Sequence, residues 1–147
     1  MQKNENRNSN IEELRKGFRT AFIDGEYNSN LAYRPEFLSN NAAEGKKVLS
    51  AIESELLRCD EFAISVAFIT NSGIEPFMQT FKELERRNIP GRILTTNYLN
   101  FSDPKALRRL SKLQNLEIRM YVTDDESEGF HTKGYLSRKD EMYRVIV

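Results

Sequence analysis

The sequence predicts an α/β fold, a mainly parallel, mixed β-sheet flanked by helices and closing on an antiparallel hairpin. Three observations lead there. Strand-like and helix-like patterns alternate from residue 62 to residue 121, the order that parallel neighbours need for their crossovers. Phe62-Ala-Ile-Ser-Val-Ala-Phe68 is short and nearly all apolar, the mark of a strand buried on both faces. Residues 131–137 and 141–147 are two strand patterns with only a short turn between them.

Taken in order, residues 1–9 are polar and Asn-rich and read as a disordered tail. Asn10 can cap a first helix reaching about Ile23, with Ile11, Leu14, Phe18 and Phe22 on one face. Residues 24–40 are irregular, and Arg34-Pro35 marks a break. Asn40 or Asn41 opens a second helix with the apolar stripe Val48, Leu49, Ile52 and Leu56, ending near Cys59-Asp60. After the 62–68 strand, Asn71-Ser72-Gly73 forms a turn and cap. A third helix then runs to about Arg87, turning Ile74, Phe77, Met78, Phe81 and Leu84 inward. Asn88-Ile-Pro-Gly91 ends it, and Arg92–Thr96 is the next strand. Ser102-Asp103-Pro104 starts a helix carrying Leu107, Leu110 and Leu113, with a capping residue followed by proline in the first turn. Leu116–Tyr121 is the third strand, an acidic loop follows, and strands 131–137 and 141–147 complete the chain. The last strand stops on its apolar half, as a domain cut from a longer protein would.

Composition narrows the function classes. The length, 147 residues with 39% hydrophobic and 30% charged, fits one soluble domain from residue 10 onward that can bury its own core. With 22 basic and 22 acidic residues the net charge is zero, so any preference for a polyanion must be local. Cys59 is the sole cysteine, which rules out an internal disulfide and a multi-cysteine zinc site and fits a reducing cytoplasm. No apolar run approaches membrane-spanning length, and the first residues lack the apolar core of a signal peptide. The expectation is a cytoplasmic protein with no membrane partner. One histidine without a cysteine cluster offers no obvious metal site.

That histidine, His131, lies in Gly129-Phe-His-Thr-Lys-Gly-Tyr-Leu136. On a strand, an H-x-K pair points imidazole and ammonium to one face. Such a pair suits a phosphodiester: the Lys133 ammonium holds phosphate oxygens while the imidazole attacks phosphorus or protonates the leaving oxygen. Charge adds a second clue. Between Arg86 and Arg119 eight basic residues face only Asp103 and Glu117. Lys105, Arg108, Arg109 and Lys112 share the outward face of one helix, a stripe that can follow a nucleic-acid backbone or simply be a solvated face. Thr95-Thr96-Asn97-Tyr98 leaves the second strand at its C-terminal end, where open α/β sheets hold ligands, though a polar turn reads the same way. Asp124, Asp125, Glu126 and Glu128 would repel a polyanion and read as a mobile surface loop, a candidate gate to the site. Phe130 and Cys59 read as packing residues.

Three segments carry a resemblance to a known family: Cys59-Asp-Glu-Phe-Ala-Ile-Ser-Val-Ala-Phe-Ile-Thr-Asn-Ser-Gly73, Gly91-Arg-Ile-Leu-Thr-Thr-Asn-Tyr-Leu-Asn-Phe-Ser-Asp-Pro-Lys-Ala-Leu107 and Phe130-His-Thr-Lys-Gly-Tyr135. Through them, residues 10–147 resemble the phospholipase D superfamily, and more closely the phospholipase D-like domain at the N-terminus of certain bacterial DEAD/DEAH-box helicases. The resemblance implies a phospholipase D-like fold truncated near the end of its catalytic hairpin. It implies metal-independent phosphodiester hydrolysis through a phosphohistidine, with His131 and Lys133 central and DNA as the substrate. Two H-x-K motifs are needed, so a chain with one histidine implies a homodimer. It also makes Thr96 and Asn97 a candidate wall of the site. The superfamily motif is H-x-K-x4-D; here Arg138 stands at its aspartate position and Asp140 two residues on, and the following G-S-x-N segment would fall after Val147. A noncatalytic DNA-binding or dimerisation module is therefore the alternative. No cofactor is implied for this domain. ATP and magnesium would belong to the helicase part, and no G-x-x-x-x-G-K-[ST] loop occurs here. A lipid-cleaving enzyme is disfavoured by the lack of a membrane-binding or lipidated segment.

Overall fold

Residues 2–22, 30–124 and 129–147 are described by a computed structural model of the chain. Two compact units emerge, Met1–Asn41 and Ala42–Val147. In the first, helix α1 (Gln2–Phe22) begins well ahead of Asn10. No glycine or proline interrupts residues 2–16, so the backbone can continue as helix through this polar stretch. Glu12–Arg15 and Glu13–Lys16 pair along it at 2.7 and 3.1 Å. Gly17, within α1, is required where the backbone of Tyr33 and Arg34 passes close to the helix: a Cβ there would lie 2.3 Å from the Tyr33 carbonyl oxygen.

The second unit holds helices α2 (Val48–Arg58), α3 (Asn71–Ile74), α4 (Met78–Arg86) and α5 (Pro104–Leu110). Its strands are β1 (Glu61–Val66), β2 (Gly91–Thr96), β3 (Leu116–Tyr121), β4 (Lys133–Lys139) and β5 (Met142–Ile146). Helix α2 starts later than Asn40 or Asn41 because Gly45, at φ +68°, closes a turn in which its N–H donates to the Ala42 carbonyl. The single helix expected from Asn71 to Arg87 is divided by a 3-10 turn, Glu75–Phe77. Pro76 within that turn has no N–H for an α-helical ladder. Thr70, not Asn71, caps its start, its Oγ1 accepting from the Gly73 N–H at 3.0 Å.

The five strands form one mixed sheet in the order β3-β2-β1-β4-β5. Both β1–β2 and β2–β3 are parallel, whereas β1–β4 and β4–β5 are antiparallel. The hairpin falls where expected, but parallel pairing is half of the sheet rather than most of it. From one face Phe62, Ile64 and Ile93 join Ile52 and Leu56 of α2, Phe81 and Leu84 of α4, and Ala106 and Leu110 of α5 in the core. On the opposite face Ala63, Ser65, Leu94, Leu136 and Val145 line a groove of about 640 Å³ that, among the described residues, is bounded by strand residues alone. β1 is accordingly buried on one face and not on two. Apolar Ala63, on the groove face, disguises that alternation in the sequence.

Gly91 opens β2 opposite Phe62. A Cβ at Gly91 would meet the Phe62 ring at 2.2 Å, and that ring is stacked on Phe81 at 6.1 Å. Gly91→Ala is expected to destabilise the fold by about 1–3 kcal/mol, the usual cost of overfilling a packed core. Urea unfolding followed by circular dichroism measures it.

Candidate functional site

The chain runs β1 to β2 to β3 on one side and then returns to the other side of β1 as β4. Lys133 therefore pairs with Val66, the last residue of β1. The residues before β4 lie at the C-terminal edge of the parallel strands, the edge at which α/β sheets hold ligands. His131 sits here, exposed, two residues ahead of the strand and not within it. Its ring lies 5.3 Å from that of Tyr98 and 6.4 Å from that of Phe68. Lys133 is exposed as well. With Val66, Phe68, Thr70, Phe77 and Tyr135 it lines a largely apolar cavity of about 200 Å³. Phe68 is thus shared between the imidazole and the cavity that Lys133 borders. Burial pushes the phenol of Tyr135 above its ordinary pKa.

Beneath this edge the polar residues that end β2 are fully occupied. Thr96 is buried; its Oγ1 donates to the Ala67 carbonyl at 2.8 Å and accepts from the Tyr98 N–H at 2.9 Å. Ser102 Oγ donates to the Thr96 carbonyl at 3.1 Å. Asn97 bridges to the exit of β3, its Nδ2 donating to the Thr123 carbonyl at 2.8 Å and its Oδ1 accepting from the Thr123 N–H at 3.3 Å. Thr96 and Asn97 shape the loop around His131 through these bonds. Beyond Asn97, Leu99 and Asn100 both adopt the left-handed backbone region, at φ 45° and 54°. That is uncommon for asparagine and rare for leucine. The strained turn swings Phe101 back, so that its ring meets Phe68 at 5.6 Å and Tyr98 at 6.1 Å.

Asp140 is not brought to this edge. It sits in the β4–β5 turn with φ 52°, at the far end of a seven-residue strand, on the order of 20 Å from Lys133. Its N–H donates to Asp60 Oδ2 at 2.9 Å, and Lys139 Nζ reaches Asp60 Oδ1 at 2.6 Å. Arg138, at the motif's aspartate position, donates to Glu61 at 2.7 Å and to the Asp140 carbonyl at 2.9 Å. This far end is a structural clamp.

The Asp140 N–H, and after it the Lys139 ammonium, hold the Asp60 carboxyl below its usual pKa. A lowered folded value means that the clamp stabilises the fold above the unfolded pKa of about 3.9 and is lost as pH falls through the folded one. Asp60→Asn should melt at a lower temperature than wild type at pH 7. Thermal melts down to about pH 3 should show the gap closing as the wild-type carboxyl takes up its proton.

Of the four basic residues assigned to one helix face, Arg109 is turned inward along the surface. It donates to Asn71 Oδ1 at 2.6 Å and pairs with Glu75 at 2.7 Å, drawing the Glu75 carboxyl below its ordinary pKa. Lys112 lies just past the end of α5. Lys105, Arg108 and Lys112 make no side-chain hydrogen bond or ion pair among the described residues. Cys59 is buried, with its Sγ 3.0 Å from the Leu56 carbonyl and its thiol pKa raised by burial, as a packing residue's would be. Asp125, Glu126 and Glu128 of the acidic loop lie outside the described residues. Among the described residues no cluster of three metal-ligating side chains occurs, and no helix is long and apolar enough to cross a membrane.

Sequence reasoning missed Phe68 and Phe101 and took Tyr98 only as part of a polar loop. The signal was there in Tyr98-Leu99-Asn100-Phe101, three apolar side chains in a loop that has no core of its own to fill. Comparison with protein-family models and with curated proteins gives no match.

Proposed function

We propose that this chain is an accessory nuclease domain of the phospholipase D type, serving a DNA helicase in the cytoplasm and hydrolysing phosphodiesters without a metal. One observation carries the reading: the only imidazole of the chain is exposed at the C-terminal edge of the parallel strands, two residues before an exposed lysine at a cavity mouth. A nitrogen of His131 forms a bond to phosphorus as the bond to the leaving sugar oxygen breaks. The His131 of a second copy gives that oxygen its proton, and water then cleaves the phosphohistidine. Lys133 offsets the charge that builds on the phosphate oxygens. Incubating the chain with plasmid and single-stranded DNA in EDTA tests this, with cutting expected.

A noncatalytic DNA-binding or dimerisation module is the second reading, favoured by the commitment of Arg138 to Glu61 and of Asp140 to the far turn. Binding that fades with salt, without any cutting by folded protein at high concentration, would establish it in place of the nuclease.

A further inference from the structure

We propose that Phe68, Tyr98 and Phe101 form a stacking platform for an unpaired base beside His131, so that this edge prefers single-stranded nucleic acid. The inference rests on reading the edge as a nucleic-acid site, but not on its cutting what it binds. Four rings close a circuit, His131 to Tyr98 to Phe101 to Phe68 and back, each within 5.3–6.4 Å of the next. Phe101 meets both of its neighbours edge to face and stays 51% exposed, with ring surface left for a further partner.

The rings are held there against local preference. Leu99 and Asn100 keep left-handed backbone, a strain that persists only where surrounding structure enforces it. The Thr96, Ser102 and Asn97 hydrogen bonds supply that enforcement on either side of the turn. Cations stand ready for the backbone of such a ligand. Lys133 shares its cavity with Phe68, and Lys105 and Arg108 lie in the helix that follows Phe101. Asp103, the carboxylate nearest in sequence, is used as the helix cap, accepting from the Lys105 N–H at 2.8 Å. A duplex keeps its base faces covered by one another, whereas an unpaired base offers a free face of any sequence.

Fluorescence anisotropy would compare a short oligothymidine, an abasic strand of equal length and charge, and the matching duplex. The oligothymidine should bind about tenfold more tightly than the abasic strand, and more tightly than the duplex. Phe101→Leu keeps apolar bulk without a π-face and should erase the preference; Phe101→Tyr should retain it. Equal binding of thymidine and abasic strands, tighter binding of duplex, or an unchanged preference in folded Phe101→Leu would each overturn the platform. Cleavage in EDTA is scored separately. A base preference without cutting keeps the platform and removes the nuclease reading, cutting without base preference does the reverse, and no binding to any strand removes both.

Discussion

His131→Ala should abolish metal-free DNA cleavage, lowering the rate by roughly four orders of magnitude or more, as loss of a covalent nucleophile does elsewhere. The variant should fold normally, because His131 is exposed and its ring meets Phe68 and Tyr98 of neighbouring loops without entering the core. Salt-sensitive binding should survive in it, since Lys105, Arg108, Lys112 and Lys133 are untouched. The measurement is plasmid nicking in EDTA at matched protein concentration, with binding followed in parallel. Cutting that persisted in the variant would remove His131 as the nucleophile and point to a contaminant or another site.

Leu56→Ala should destabilise the fold by about 2–5 kcal/mol, while Leu57→Ala next to it costs under about 1 kcal/mol. Leu56 is 1% exposed and packs in the core with Ile52 and Leu84, whereas Leu57 is 40% exposed. For a chain of 147 residues each kcal/mol shifts the melting temperature by about 3 °C, so the buried substitution should cost roughly 10 °C. Paired thermal melts of the two variants check it. Equal losses would mean that α2 is rotated from the face described above.

Much of the second unit could be read from periodicity, because its helices bury one clear stripe. Ile52 and Leu56 on α2, with Ile74, Phe81 and Leu84 in the α3–α4 stretch, were all expected inside and all are. What could not be read depended on where distant strands meet. That β4 would lie against β1, and not beside β3, is a choice of partner that leaves no local trace. The same choice sends Asp140 away from His131, though the two look close along the chain. Thr96 and Asn97 were singled out for their position and polarity, but whether such groups face a ligand or bond to backbone is decided by Ala67 and Thr123, each 26 residues or more away. The His131 ring cluster draws likewise on three separate loops, of which only the H-x-K segment has a recognisable signature.

The two unlike faces of the sheet give this chain two unequal rates of change over time. Positions 62, 64 and 93 face the helices, and a substitution at any of them must be absorbed by a closely packed core. Positions 63, 65, 92 and 94 face the groove and can drift with little effect on folding. Relatives of this chain would then share every second residue of the central strands and differ at those between, so that kinship survives as a rhythm more than as a string of identical letters.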